Sequence, residues 1–324
     1  MRYHGRRSRA LIFCFLKLIL EGRQSQMSRL PPQLKFSLAV AISLSVGWRP
    51  LLGTLALALR RDEYTHILLI VPISVALIYT EWPSHRTDRQ PSNRISATLL
   101  VAAILLGVGG RLTAQSDAQL TWSMLALVTW WLGAFIGCFG VWTFRSLLFP
   151  LCFLFCLVPL PEFTLNKIVT LWQHGSALSA SFLFSALGIP VTQDGVMLTI
   201  PGLSLEVAQE CSSLRSSLML IVTSMVLAHL FLRSFWRKAA VVLVAIPLSI
   251  FKNGIRIFTI SMLGIHVDPG FLHGNFHRHG GIVFYLLALF VLLLLLWILN
   301  RTQGASSEDH GHGQKPVRVG QQVG

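Results

Sequence analysis

Residues Gly281–Leu299 read GIVFYLLALFVLLLLLWIL, 19 residues without one charged side chain. At about 1.5 Å of rise per residue, a helix of that length covers most of a hydrocarbon core roughly 30 Å thick. Moving outward toward the N-terminus, similar runs recur: Ala239–Leu263, Ser212–Leu232, Ser146–Leu160, Leu120–Phe139, Ile95–Leu112, Tyr64–Thr80 and Phe36–Leu59. The last of these is interrupted by Trp48-Arg49-Pro50, where the proline is expected to kink the helix. The pattern predicts an all-α polytopic membrane protein of about eight transmembrane helices. A porin-type barrel would show short alternating segments instead.

Composition agrees. Hydrophobic residues make up 53% of the 324 and charged residues 12%, and mean hydropathy is +0.62. A soluble domain carries about a quarter charged residues, so an ordinary cytosolic globule is excluded, and so is a disordered chain. The net charge of +14 comes from 27 Lys and Arg against 13 Asp and Glu. In a soluble protein it would suggest nucleic acid. Here there is no nucleic-acid motif, and basic residues mark cytoplasmic loops instead. Of the five cysteines (Cys14, Cys138, Cys152, Cys156 and Cys211), four lie in apolar runs, where Cys acts as a small hydrophobe. No disulfide framework is expected.

Between the spans the chain divides as follows. Residues 1–35 form a basic cytoplasmic leader, 36–300 a single integral-membrane domain, and 301–324 a polar, Gly/Gln-rich cytoplasmic tail expected to be disordered. The apolar stretch Ala10–Leu20 contains Lys17 and is followed by no small-residue cleavage site, so it does not read as a signal peptide. Residues 163–187 have helical apolar spacing broken by Asn166, Lys167, Gln173 and His174, and are expected to lie at the interface. Between 189 and 209, Asp194-Gly195 with β-prone flanks signals a hairpin outside the bilayer core. With the N-terminus inside, the segments that face the cytoplasm hold 18 of the 27 Lys and Arg. That asymmetry places both termini in the cytoplasm.

This topology brings three features to one outer face. Cys211 stands at the outer start of the sixth span, Arg256 in the outer part of the seventh, and a histidine cluster just before the eighth. Together they form a workable acyl-transfer set. A thiolate attacks, a nearby cation lowers its pKa, a His moves protons, and a fixed Arg stabilises the oxyanion. Taken one at a time, ordinary roles compete. Cys211 at a span end would pack, Arg215 would be structural, and Arg256 would pair with Glu206, Glu210 or Asp268. Lys252 lies one turn before Arg256, on the same helix face.

The motifs also resemble a known family. Glu206-Val-Ala-Gln-Glu-Cys211-Ser-Ser-Leu-Arg215, then Asn253-Gly-Ile-Arg256 preceded by Pro247 and Leu248, then His277-Arg-His-Gly-Gly281-Ile-Val-Phe284, are similar to the signature of the exosortase/archaeosortase family of membrane transpeptidases. Asp62-Glu-Tyr64-Thr-His66 with Val71-Pro72, and Gly188-Ile-Pro-Val with Asp194-Gly195, resemble the family's upstream elements. The chain departs from the pattern at Ser213, where the family usually has Gly. His277 fits the motif spacing, with His279 and His273 as alternatives.

The resemblance implies a membrane-embedded cysteine transpeptidase that cleaves a C-terminal sorting signal on exported proteins. That signal combines a Pro-Glu-Pro-like motif, a transmembrane helix and a basic tail. Cys211 would be the nucleophile of a thioester acyl-enzyme, Arg256 the oxyanion stabiliser and His277 the proton carrier. Arg215, Lys252, Asn253 and His279 would contact substrate. The partners would be such exported proteins, the lipid bilayer and an unidentified acyl acceptor, in a bacterial inner membrane, often in connection with exopolysaccharide. No nucleic acid and no cofactor are implied. Three rivals stand beside this reading. One is a metal-dependent hydrolase built on His266, His273, His277 and His279. The second is a transporter lined by Lys252 and Arg256, which the apolar stretch Ala239–Ile246 disfavours. The third is a non-enzymatic assembly protein for polysaccharide export.

Overall fold

A computed structural model describes residues 31–83, 92–112, 116–207, 214–268, 270 and 281–309, with the backbone alone for 116–117 and 303–309. Helices dominate: α1 Pro32–Arg60, α2 Ile67–Thr80, α3 Asn93–Leu112, α4 Ser116–Ser146, α5 Leu148–Phe153, α6 Glu162–Ala186, α7 Leu214–Phe231, α8 Phe235–His266 and α9 Gly281–Asp309. Among the described residues seven helical segments are long and apolar enough to cross a membrane, and an eighth if the broken pair Leu148–Leu157 and Glu162–Ala186 counts as one span. The expected all-α polytopic architecture is therefore present.

The described chain forms two compact units. The first holds α1 to α5, up to Pro161, without residues 61–66. Its centre is α4, packed antiparallel to both α1 and α3. Along α1, Phe36 meets Phe135 and Phe139 at ring-centroid distances of 5.6 Å, and Trp131 Nε1 donates to Ser43 Oγ at 2.8 Å. Toward the other end Gly47 faces Leu127 and Gly53 faces Leu120. Along α3, small residues allow close approach: Gly137 lies against Ser96, Gly133 against Leu99 and Leu100, and Gly110 against Trp122. Ser96 Oγ donates to the Gly133 carbonyl at 2.8 Å. Interfaces built of small residues and hydroxyls suit a bilayer, where lipid tails are as apolar as leucine and packing must hold helices together.

Pro50 sits inside the continuous helix α1. A break occurs at Gly140 in α4, with φ 84° and ψ 166°, outside the helical region and readily adopted only by glycine. It falls where the fourth expected span ends, at Phe139. The expected fifth span, Ser146–Leu160, appears as α5 followed by a 3-10 turn at Leu154–Leu157. This stretch returns toward the start of α4, where Thr121 Oγ1 donates to the Pro159 carbonyl at 2.9 Å.

The second unit holds residues 61–66 and everything from Glu162. Here α6 and α8 run in the same direction, side by side. Gly175 abuts Ile250, Gly254 abuts Ser179 and Ala180, and Phe184 meets Phe258 at 4.9 Å. The interfacial expectation for 163–187 therefore gives way to a helix that travels with a candidate span. Its polar residues Ser176 and Gln173 are taken up by protein partners rather than by water.

After α6 comes a three-stranded antiparallel meander, β1 Thr192–Asp194, β2 Met197–Ile200 and β3 Leu203–Glu206. The anticipated Asp194-Gly195 turn joins the first pair, with Asp194 opposite Met197. The second turn is Pro201-Gly202, with Gly202 at φ 84°, as a type II turn requires. Leu198, Ile200 and Val207 are buried against Ala177, Ala180, Phe184 and Ile257.

Helices α7, α8 and α9 close the unit around Leu220, Ala228, Val241, Ala245, Ala288 and Leu292. α9 continues to Asp309, ten residues past the expected end at Leu299. The apolar span supplies a formed helix to extend, and extension is cheaper than nucleation. The leader through residue 30 and the tail from 310 lie outside the described residues.

Candidate active site

The cationic turn of α8 is the core of the site. Ser249, Lys252, Asn253 and Arg256 are spaced i, i+3, i+4 and i+7, so they share one helix face, and all four are buried. Lys252 is 3% exposed and Arg256 8%. A cation placed centrally in a span costs about 2.5–3.5 kcal/mol on insertion scales. Two cations one turn apart on one buried face also repel each other. Such an arrangement is costly for stability alone.

Polar partners come from the flanking helices. Asn253 Nδ2 donates to Ser176 Oγ of α6 at 2.9 Å. Trp172 Nε1 of α6 donates to Ser249 Oγ at 3.2 Å. Lys252 Nζ donates to Ser216 Oγ on the first turn and a half of α7. Ser176, Ser216 and Trp172 did not figure in the sequence reading. Their signal is a hydroxyl or indole at helical spacing in an otherwise apolar stretch, which ordinary packing also produces.

Two helix starts reach the level of this turn. Ser216, near the start of α7, contacts Lys252 directly. α9 runs antiparallel to α8, and Arg237 Nη1 donates to the Leu299 carbonyl at 3.2 Å near one end. Equal rise along both helices then sets Lys252 level with Phe284, one turn from the start of α9 at Gly281. At the meander, Gln173 Nε2 donates to the Val207 carbonyl at 3.1 Å and the Val207 amide donates to the Val196 carbonyl at 2.9 Å. Val207 and Leu214 are both buried, 0% and 3% exposed. Cys211 falls between them in sequence.

The remaining predicted residues sort as follows. Arg215 is engaged by Asp62 from the 3-10 turn Asp62–Tyr64, at 3.0 Å, with side chains 55% and 78% exposed. Of the carboxylates considered for Arg256, Glu206 and Asp268 are exposed, and Asp268 Oδ1 accepts from the Gly270 amide at 2.8 Å. Glu210, Cys211, His273, His277 and His279 lie outside the described residues. His266 is exposed at the end of α8, its Nδ1 3.2 Å from the Met262 carbonyl oxygen. Among the described residues no three His, Cys, Asp or Glu side chains gather as a metal site.

A family model described as transmembrane exosortase (Exosortase_EpsH) matches residues 58–294. The chain belongs to the transmembrane exosortase family. The match takes in the cationic turn, the meander and the segments that carry Cys211 and His277, and it covers well over half of the chain. Membership brings with it, in general terms, a multi-pass membrane protein with a transpeptidase role in protein sorting, of the cysteine type. No curated protein and no solved structure matches the chain.

Proposed function

We propose that this exosortase is a membrane-embedded cysteine transpeptidase that cleaves the C-terminal sorting signal of exported proteins. The signal consists of a Pro-Glu-Pro-like motif, a transmembrane helix and a basic tail. The observation that carries the proposal is the buried Lys252–Asn253–Arg256 turn, level with the start of α7, just after Cys211, and with the start of α9, just after His277. Sequence distance bounds the reach. Cys211 is three residues before Leu214, so their Cα atoms lie within about 11 Å, and His277 is four residues before Gly281, within about 14 Å.

In this reading the Cys211 Sγ attacks the scissile carbonyl carbon. The oxyanion that forms is stabilised by Arg256, whose guanidinium stays charged in a site of low dielectric. His277 protonates the departing amine, the C–N bond breaks, and the helix with its tail leaves. A thioester remains on Cys211. His277 then takes a proton from the acceptor as it attacks the thioester carbonyl, the C–S bond breaks, Cys211 leaves as the thiolate, and the new C-terminus is released joined to the acceptor. Lys252, Asn253, Arg215 and His279 position the substrate, with Lys252 suited to an acidic residue of the motif. The family resemblance supports a bacterial inner membrane, and the charge asymmetry of the loops supports both termini in the cytoplasm with the site on the extracytoplasmic side. A juxtamembrane peptide would be presented there.

The test is processing in cells. The chain is expressed with an exported protein from the same genome that carries the three-part signal, and the size of that protein is followed by immunoblot. Wild type is expected to give a shorter, released product and Cys211→Ala none. Equal processing by Cys211→Ala would overturn the nucleophile assignment.

A further inference from the structure

The first unit contains a cavity of about 640 Å³ between α1, α3 and α4, apart from the residues assigned to catalysis. Its walls are segregated by polarity. One end carries Arg49, Arg111, Gln119 and Ser123; the rest is mainly apolar, with Ile42, Val46, Ile104, Val108, Leu127 and Trp130, and its one hydroxyl, Ser43, is engaged by Trp131. The helix pairing explains the segregation. Gly110 faces Trp122, and Gly53 and Gly47 face Leu120 and Leu127. Arg49 and Arg111 therefore come level with Gln119–Ser123, while Ile42 and Trp130 lie deeper. Gly47 and Gly107 also line the cavity, where they let α1 and α3 approach Leu127 and Ala126 of α4.

The two guanidiniums are placed where a lone structural role is costly. Arg49 lies 11 residues before the end of α1, within a candidate span, and Arg111 is the penultimate residue of α3. Both are exposed to the surroundings of the helices. The Arg49 guanidinium lies 5.7 Å from the ring centroid of Trp48, and no carboxylate is among the residues that line the cavity. The counter-charge a bilayer offers to such arginines is a lipid phosphate. Guanidinium binds phosphate by paired charge-assisted hydrogen bonds. The volume falls in the range of small-ligand sites, roughly 300–1,000 Å³.

We infer that this cavity is a binding site for one anionic membrane lipid. Its phosphate rests on Arg49 and Arg111, and one acyl chain lies along the apolar wall toward Ile42 and Trp130. The inference is independent of the sorting activity.

The test uses the full chain in nanodiscs that contain phosphatidylglycerol and phosphatidylcholine in equal amounts, transferred to detergent and read by native mass spectrometry. Retained phosphatidylglycerol, in preference to phosphatidylcholine, is expected on the wild type. Arg49→Gln/Arg111→Gln should lower that retention by roughly tenfold or more, the scale of one charge-assisted hydrogen bond. Ile104→Trp, which fills the apolar wall and leaves both charges, should lower it as well. Thermal unfolding of each variant reports folding separately. A free-phosphate arm, with excess glycerol phosphate, should not displace the lipid; displacement would show a headgroup site without a chain site and overturn the proposal. So would equal retention of the two lipids, unchanged retention in both folded variants, or displacement of the lipid by an acidic peptide.

Discussion

Replacing Gly254 with alanine should loosen the second unit at the point that holds the cationic turn. A Cβ built there falls 2.4 Å from Ser179 Cβ and 3.1 Å from the Ala180 backbone nitrogen. Comfortable carbon–carbon contact is about 3.5–4.0 Å, so α6 and α8 must part by about 1 Å. Forced overpacking of this kind costs about 1–3 kcal/mol. Parting by the same distance takes the Asn253–Ser176 bond from 2.9 Å beyond hydrogen-bond range. Loss of that buried hydrogen bond costs about another 0.5–1.5 kcal/mol. Alanine in place of glycine in a helix returns about 1 kcal/mol. The net expectation is a loss of about 0.5–3.5 kcal/mol, with activity falling alongside because Arg256 moves with the helix. Gly109→Ala is the matched control, since nothing lies within 4 Å of its Cβ; it should be neutral or slightly stabilising. The assay is equilibrium unfolding of the full chain in mixed detergent micelles, read by the fluorescence of its nine tryptophans. Equal stability of Gly254→Ala, Gly109→Ala and wild type would refute the close-contact reasoning.

Three further outcomes follow from the site. Arg256→Lys keeps the charge but loses the planar fork, and should lower the processing rate by about 10²–10³-fold, as for the loss of an oxyanion donor; single-turnover rates of substrate cleavage check this. Lys252→Met removes a buried cation one turn from another, so stability should hold or rise while KM for the substrate increases with kcat less affected; unfolding and steady-state kinetics on the same preparation separate the two. Asp62→Asn breaks an ion pair whose partners are 55% and 78% exposed, and should change unfolding free energy by less than about 1 kcal/mol, less still at high salt.

Seven of the spans were legible because of their long apolar runs; the fifth, Ser146–Leu160, is equally apolar in sequence but appears as α5 and a 3-10 turn. The second turn of the meander was legible in principle from Pro201-Gly202, but a type II turn between two four-residue strands gives little periodicity to read. α6 was obscured by Asn166, Lys167, Gln173 and His174, which depress its hydropathy. The middle of its face toward α8 is made of the small residues Gly175, Ser176, Ser179 and Ala180, and their value lies in a close approach that sequence does not show. The cationic turn was visible from charge within a span. Its partners Ser176, Ser216 and Trp172 were not, because a hydroxyl or indole acquires a role only when a second helix brings its mate. Arg215 shows the converse: prominent beside Cys211 in sequence, it is engaged by Asp62, more than 150 residues away.

The most direct measurement is to trap the acyl-enzyme. Purified chain is mixed with a peptide that spans the sorting motif and the start of its helix, quenched in acid and analysed by intact mass and by peptide mapping. The account predicts an added mass equal to the N-terminal fragment, located on Cys211, released by neutral hydroxylamine and absent from Cys211→Ala. Cleavage of the peptide with no hydroxylamine-labile adduct on Cys211, or at an unchanged rate in Cys211→Ala, would contradict it.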